Sequence, residues 1–199
     1  MITRESLEKY RLYLKTIQQQ LDKFFEEQSP YINCKEGCSH CCEKGEYPYS
    51  ELEITYLMSG VKTLDTKTIE LIEENIAELR RQREQNKESK FLHACPFLVN
   101  KRCSLYEYRG LVCRSHGLAF FSKENKLLVP ACSELGLNYA NVYDHETSMI
   151  SDEKYRALGI EQEPLAHNVG HHFLSNNETT KALGLDFGDV ETMADWMEI

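Results

Sequence analysis

The chain has 199 residues, of which 23 are lysine or arginine and 32 are aspartate or glutamate, so its formal net charge is −9. This acidic balance, without any stretch that is both basic and aromatic, argues against nucleic acid and membranes as partners. No apolar run reaches the roughly 20 residues that span a bilayer, and residues 1–9 lack the apolar segment of a signal peptide. We therefore expect one domain covering residues 1–199 and a cytoplasmic location.

The first predicted element is a long amphipathic helix over residues 3–27. Its apolar residues recur mostly at steps of three and four, which is the spacing of one helix face. They are Leu7, Tyr10, Leu14, Ile17, Leu21, Phe24 and Phe25. Pro30 interrupts regular structure after this helix, and we expect residues 31–48 to form an irregular loop that carries cysteines.

Two more helices are predicted before residue 90. Ser50 and Glu53 have the spacing of a capping box, which starts a helix that stops near Gly60. Asp65 or Thr66 can cap the next helix. Its buried face is formed by four aliphatic residues at helical spacing, Ile69, Ile72, Ile76 and Leu79.

The rest of the chain is predicted to contain shorter elements. The charged stretch 80–90 indicates a solvated helix end followed by a loop. Residues 97–105 combine two apolar runs with a polar turn, which predicts a short hairpin or a tight knuckle-like turn, and residues 117–129 predict a second hairpin. Residues 106–109 are predicted to form a helical turn. Beyond Cys132 the pattern is weak and predicts short helices near 143–158, 164–174 and 187–198.

The eight cysteines are the clearest functional signal. Four lie within the nine residues Cys34-Lys35-Glu36-Gly37-Cys38-Ser39-His40-Cys41-Cys42, and the others are Cys95, Cys103, Cys113 and Cys132. In a reducing compartment, clustered cysteines indicate metal binding or catalysis rather than disulfides. Buried thiols without a ligand role are a poor explanation for four cysteines in nine mostly polar residues.

Thiolates bind zinc and iron strongly, and a structural zinc ion or a four-iron cluster takes four ligands. Cys38 and Cys41 have the two-residue spacing of metal-binding loops, and Cys34 adds a third sulfur nearby. We expect the adjacent Cys41 and Cys42 to point in different directions. Eight cysteines allow two four-sulfur sites, or one site with additional thiols.

The later cysteines Cys95, Cys103 and Cys113 are spread too widely to close a site alone, so we expect them to complete a site begun by residues 34–42. The metal would then join two distant segments, and the free energy of metal binding would contribute to the free energy of folding. The preferred ligands are Cys34, Cys38, Cys41, Cys95, Cys103 and Cys113, followed by Cys42 and Cys132.

The ordered pattern also resembles a known family. It consists of Cys34-x3-Cys38-x2-Cys41-Cys42, then Cys95-Pro96-Phe97-Leu98, Cys103, Tyr106, Arg109 and Cys113-Arg114. This set is similar to the zinc- or iron-chelating cysteine-cluster family, also described as CxxCxxCC or YkgJ-like, and flagellin lysine N-methylases carry a related module. The resemblance covers residues 31–132 and implies a metal-binding core there, followed by a helical extension over 133–199.

Two features depart from the family pattern. The first gap between cysteines is three residues long, and Gly110 stands where the family usually has proline. Glycine still allows a turn before Cys113, although a less rigid one.

A competing pattern concerns the triplet Cys34, Cys38 and Cys41, which has the spacing found in radical S-adenosylmethionine enzymes. Those enzymes need a large partial barrel of repeated strand–helix units, and this chain has no such alternation. We therefore favour the metal-chelating interpretation. An arrangement of three close cysteines and one distant cysteine around a cluster remains open.

Four further side chains are predicted to support the ligands. Arg109 and Arg114 flank Cys113, and a cation there lowers thiol pKa values and offsets the charge of a sulfur-rich site. The alternative for Arg114 is an ion pair with a surface carboxylate. We expect His40 and His116 to donate hydrogen bonds to the site or to be exposed, rather than to replace a sulfur.

A separate group contains His167, His171 and His172, preceded by Glu163. His167 and His171 would share one face of a helix, as in some metal sites. Gly170 weakens such a helix, and no carboxylate follows at the required spacing. We expect these histidines to be structural or exposed.

Together these patterns predict a mainly α fold with one or two short β-hairpins around a cysteine-ligated metal site, in a single domain. The predicted function is an intracellular metal-binding protein that holds zinc or an iron–sulfur cluster, of the [4Fe–4S] type if the metal is iron. The alternatives are an iron–sulfur redox protein or a component of a protein-modifying enzyme such as a lysine N-methylase, and metal storage or delivery. The sequence identifies no protein partner and leaves catalysis open.

Overall fold

The computed structural model describes residues 2–35, 37–86, 88 and 90–198. About half of these residues are helical, and the strands among them pair in twos. The α-helices are α1 (Arg4–Glu27), α2 (His40–Glu43), α3 (Glu51–Ser59), α4 (Thr66–Gln85), α5 (Leu111–Ser115), α6 (Asp152–Leu158), α7 (His171–Leu174), α8 (Glu178–Ala182) and α9 (Met193–Glu198). The strands are β1 (Pro48–Ser50), β2 (Leu98–Val99), β3 (Arg102–Cys103), β4 (Phe120–Phe121), β5 (Leu127–Leu128), β6 (Tyr143–Asp144), β7 (Met149–Ile150) and β8 (Val190–Thr192). The predicted mainly α class with short hairpins is confirmed.

The fold consists of two compact units, each assembled from separate segments. Unit 1 contains Met1–Tyr10, Gly37–Gly110 and Leu185–Ile199, and unit 2 contains Arg11–Glu36 and Leu111–Gly184. Within the described ranges, no helix combines the length and the apolar character that a membrane span requires. Of the predicted charged stretch 80–90, residues 87 and 89 lie outside the described residues.

Unit 1 is organised by the pairing of β1 with β8. The two strands are antiparallel, with Tyr49 opposite Glu191. The indole N–H of Trp196, in α9, donates a hydrogen bond to the carbonyl of Tyr49 at 2.7 Å. Helix α9 also packs against α4, whose buried residues include Ile72 and Leu79 from the predicted apolar face. The C-terminal residues therefore complete the core of this unit.

Helices α3 and α4 begin where their capping residues predict. The backbone N–H of Glu53 donates to Ser50 Oγ at 3.2 Å, and the backbone N–H of Ser50 donates to the Glu53 carboxylate at 3.0 Å. Asp65 caps α4 by accepting a hydrogen bond from the N–H of Thr68 at 3.0 Å. The predicted helix starts are confirmed, as is the long helix predicted for residues 3–27, which is α1.

Unit 2 contains a buried amide, Gln28, with an exposed fraction of 1%. Its Oε1 accepts hydrogen bonds from the Tyr139 hydroxyl at 3.2 Å and the Leu165 N–H at 2.8 Å. Its Nε2 donates to the carbonyl of Glu163 at 3.1 Å. Tyr31 stacks on Tyr139 with ring centroids 5.8 Å apart. A buried amide bonded on both sides fixes the path of the loops that contact it.

Both predicted hairpins are present, as β2–β3 and β4–β5. The turn between β2 and β3 consists of Asn100 and Lys101, whose φ angles of 52° and 59° lie in the left-handed region typical of tight hairpins. This register places Leu98 opposite Cys103. The predicted helical turn follows as a 3₁₀ helix over Tyr106–Tyr108.

The helix predicted for 143–158 is correct only from Asp152 onward. The preceding residues form the hairpin β6–β7. The Asp144 carboxylate accepts hydrogen bonds from the N–H groups of Glu146 at 2.8 Å and Thr147 at 3.1 Å. A side chain that bonds the backbone two and three residues ahead favours a turn over a helix.

The other two C-terminal helices are also shorter than predicted. Of residues 164–174 only α7 is helical, because the backbone of His167 bonds that of Ala119 at 2.9 Å and that of Phe121 at 3.2 Å instead. Of residues 187–198, α9 is helical, whereas the three residues before it form β8. Pairing with a distant segment overrides the local pattern in both places.

Replacing Ser50 with alanine is expected to lower the free energy of unfolding by about 1–2 kcal/mol, because it removes a buried cap and a hydrogen bond of Glu53. Asp65→Ala removes an exposed cap and is expected to cost less, about 0.5–1 kcal/mol. Urea unfolding monitored by circular dichroism measures both values. Equal losses of unfolding free energy in Ser50→Ala and Asp65→Ala would contradict the larger value expected for the buried cap.

Candidate metal centre

The eight cysteines divide between the two units, and none is joined in a disulfide. Unit 1 carries Cys38, Cys41, Cys42, Cys95 and Cys103, and unit 2 carries Cys34, Cys113 and Cys132. Cys34 and Cys38 are exposed, Cys132 is buried, and the other five are partly buried. Each unit therefore contains cysteines from both the early and the late parts of the sequence.

Helix α2 is a single turn that presents two adjacent thiols. The carbonyl of Ser39 accepts hydrogen bonds from the N–H groups of Cys42 at 2.8 Å and Glu43 at 2.9 Å. Ser39 Oγ donates to the Glu43 carboxylate at 2.6 Å, which closes the turn from the side-chain face. The prediction of an irregular loop over 31–48 is therefore wrong at this turn, because Ser39 supplies both a backbone and a side-chain bond.

The Sγ atoms of Cys41 and Cys42 lie 4.0 Å apart. The expectation that these adjacent side chains point in different directions is therefore wrong. Two sulfurs bound to one tetrahedral zinc ion, with Zn–S distances of about 2.3 Å, lie about 3.8 Å apart. The pair has close to the spacing that a single metal ion requires of two ligands.

The late cysteines of unit 1 meet this pair through the backbone. The N–H of Cys95 donates to the carbonyl of Cys42 at 2.7 Å. Gly45 and His93 exchange two backbone hydrogen bonds, of 3.0 and 3.3 Å, in an antiparallel bridge. The hairpin β2–β3 then brings Cys103 into the same unit. Within unit 1, the segment that carries Cys42 thus contacts the segment that carries Cys95, as a metal site that joins the two segments requires.

Burial and mutual contact raise the pKa values of two thiols in this group. The hydrogen bond with Cys42 raises the pKa of Cys41 well above its usual value, and burial adds to the effect. Burial raises the pKa of Cys103, while the Arg109 guanidinium opposes the rise and the charge of Cys41 increases it. A metal ion that binds these thiols must displace their protons.

In unit 2, Cys34 contacts a buried asparagine. Asn138 is fully buried, and its Nδ2 donates to Cys34 Sγ at 3.2 Å and to the carbonyl of Gly117 at 2.9 Å. Cys113 lies in the short helix α5, and Cys132 in the 3₁₀ turn Ala131–Leu135. The amide holds the Cys34 thiol against the residues that follow α5.

The four predicted supporting residues have different surroundings. The Arg109 guanidinium lies 3.5 Å from the Tyr106 ring centroid. Arg114 is buried, and its Nη1 donates to Gln18 at 3.0 Å. His40 is exposed, and burial lowers the pKa of His116. Their roles toward a metal remain predictions.

The histidine group in unit 2 does not share a helix face. His171 begins α7, whereas His167 lies before it and stacks on Phe24 with ring centroids 4.0 Å apart. Burial lowers the pKa of His167 and of His172. His167 is therefore a packed side chain, and the structural or exposed role expected for the three histidines stays a prediction.

Among the residues that the structure describes, no three cysteine, histidine, aspartate or glutamate side chains converge as a ready metal site. The predicted ligand set therefore remains a prediction, and the 4.0 Å pair is the part of it with ligand-like spacing. Two residues near the cysteines escaped the sequence reasoning, Asn138 and His93. A histidine two residues before Cys95 was a visible signal, whereas nothing local marked Asn138.

In unit 1, two cysteine segments that are separated in sequence meet through their backbones. Among known families, the family model described as "Putative zinc- or iron-chelating domain" matches residues 33–133, more than half of the chain. The protein belongs to this zinc- or iron-chelating family, and the resemblance drawn from the cysteine pattern is confirmed. No curated protein and no solved structure matches the chain.

In the metal-free protein, the thiols of Cys41 and Cys103 are expected to react with iodoacetamide more slowly than the exposed Cys38. Alkylation needs the thiolate, and a raised pKa means a smaller thiolate fraction near neutral pH. Timed labelling with peptide mass spectrometry gives the rate at each cysteine. In urea the three rates should converge, and equal rates in the folded protein would contradict the prediction.

Proposed function

We propose that unit 1 binds one zinc ion through the thiolates of Cys41, Cys42 and Cys103, with a fourth ligand from the same unit. The observation that carries this proposal is the 4.0 Å separation of the Cys41 and Cys42 sulfurs. Membership of a zinc- or iron-chelating family supports metal as the ligand. Small rotations of thiol side chains would complete a tetrahedral site around this pair.

A single ion accounts for the pair better than an iron–sulfur cluster does. In a four-iron cluster, each cysteine binds a different iron and extends away from the cluster centre, so two such thiolates lie farther apart than two ligands of one ion. Cys41 and Cys42 lie on one helical turn with their sulfurs already in contact. Zinc, without redox chemistry, suits such a compact four-coordinate site.

Cys103 is assigned as the third ligand because its hairpin lies in unit 1 together with Cys41 and Cys42. The charge of Cys41 contributes to the raised pKa of the Cys103 thiol. The hairpin that carries it is anchored to α4, where Asn75 Nδ2 donates to the carbonyl of Pro96 at 3.0 Å. Ser104 closes the hairpin by donating its N–H to the carbonyl of Phe97 at 2.9 Å. A ligand on an anchored hairpin loses little conformational entropy when it binds metal.

The role of the metal in this proposal is structural. It would connect α2 with the hairpin β2–β3 across the intervening helices α3 and α4. Each of these cysteine segments is short, with a four-residue helix and two two-residue strands. Elements of this size have little stability alone, so the free energy of metal binding would contribute directly to the stability of unit 1.

Anaerobic purification followed by metal analysis and visible absorption tests the proposal. The expected result is a colourless protein with one zinc ion per chain, because a d¹⁰ ion has no visible transitions. A brown protein that bleaches with dithionite would replace zinc with an iron–sulfur cluster. A metal-free chain that is fully folded would contradict metal binding altogether.

Substitution of single ligands gives the second test. Cys41→Ser and Cys103→Ser are expected to weaken zinc binding by at least about 100-fold, which is more than the loss of a merely supporting residue costs. Cys132→Ser, which changes a buried thiol of unit 2, is the matched control and should keep full zinc content. Competition with a chromophoric chelator measures each affinity. Full zinc content in Cys103→Ser would show that the two segments are not joined by metal.

A further inference from the structure

The side chain of His93 has an unusual environment in unit 1. Its exposed fraction is 5%, so it is almost completely buried. Its Nδ1 lies 2.9 Å from the carbonyl oxygen of Ala94. Its Nε2 is buried and has no hydrogen-bond partner among the described residues. Buried polar atoms are nearly always bonded, so an unpartnered imidazole nitrogen calls for an explanation.

The contact with Ala94 determines which nitrogen carries the proton. A carbonyl oxygen only accepts hydrogen bonds, so Nδ1 is the protonated nitrogen and donates to it. In the neutral ring, Nε2 then has a lone pair directed away from that bond. This is the tautomer of zinc-bound histidines, in which one nitrogen binds metal and the other donates to a carbonyl or carboxylate.

The backbone places this histidine beside the cysteine segments. His93 exchanges two backbone hydrogen bonds with Gly45, three residues after Cys42. Two residues further on, Cys95 donates its N–H to the carbonyl of Cys42. His93 therefore belongs to the stretch of chain that meets the end of α2. The other two histidines near cysteines in sequence lack this combination, because His40 is exposed and His116 belongs to unit 2.

Packing restricts the orientation of the ring. The His93 imidazole stacks on Phe91, with ring centroids 5.2 Å apart and an interplanar angle of 30°. The stacking contact and the bond to Ala94 together limit rotation about both side-chain torsions. A ligand that is oriented before the metal arrives loses little freedom on binding.

We infer that His93 Nε2 is the fourth ligand of the zinc ion in unit 1, so that the site is of the Cys₃His type. This inference rests on the proposed zinc site and specifies its composition. The lone pair of His93 Nε2, which no described group bonds, would bind the zinc ion. His93 would then take the fourth position in place of Cys38 or Cys95, the other cysteines of unit 1. One nitrogen ligand also leaves the bound site with one negative charge rather than the two of a four-thiolate site.

X-ray absorption at the zinc edge of the full-length, zinc-loaded protein tests the inference directly. The expected coordination is three sulfurs at about 2.3 Å and one nitrogen at about 2.0–2.1 Å. His93→Ala is expected to lose the nitrogen and to weaken zinc binding by at least about 100-fold. His93→Cys should retain zinc, with the nitrogen replaced by a fourth sulfur.

The matched control is His167→Ala in unit 2. His167 also has a buried Nε2 with no partner among the described residues, and its ring also stacks on a phenylalanine. This variant should keep the zinc affinity and the nitrogen ligand of the original protein. If both alanine variants lose zinc equally, the effect of His93 is one of folding and the inference fails.

The outcomes separate this inference from the proposed function. Zinc bound by four sulfurs in the unsubstituted protein would overturn the role of His93 and leave the zinc site standing. Loss of zinc in Cys95→Ser or Cys38→Ser, with full retention in His93→Ala, would do the same. A protein that binds no zinc, or an iron–sulfur cluster instead, would overturn both.

Discussion

The hydrogen bond from the Cys95 N–H to the Cys42 carbonyl, 2.7 Å long, is the contact on which the candidate site depends. Together with the reciprocal bonds between Gly45 and His93, it determines where the early and late cysteines of unit 1 meet. These bonds join backbone groups, so they do not require the thiols to be ionised. In the proposed site, the metal would have to draw together only a few side chains, because the two segments are already in contact.

Electrostatics impose the second constraint on this site. Two thiols 4.0 Å apart and partly buried resist ionisation, which is why the pKa of Cys41 is raised. A divalent cation reverses this, since each thiolate then faces a positive charge. In the proposed site, three thiolates and a neutral imidazole around zinc would leave one negative charge. The Arg109 guanidinium, whose charge lowers the pKa of Cys103, is the cation that this proposal assigns to offset that charge.

Local patterns predicted those parts of the fold whose signals lie within a few residues. The caps at Ser50 and Asp65 and the turn at Asn100 are examples, since each concerns a bond or a dihedral angle near its own position. The pairing of β1 with β8 could not be predicted, because three-residue strands have no measurable periodicity and lie far apart in the chain. The candidate cysteine ligands could also be identified from the sequence. Their division between two units and the burial of His93 could not, because both depend on contacts between distant segments.

Gly110 shows how long-range packing constrains a single position. A Cβ atom on this residue would lie 2.6 Å from the ring of Tyr49 and 3.0 Å from the Glu53 carboxylate. Tyr49 is buried and held in place by its pairing with Glu191 and its bond from Trp196. Proline, which has a Cβ, would displace this ring and strain the core of unit 1. Glycine therefore fits at residue 110 because it has no side chain that would meet Tyr49.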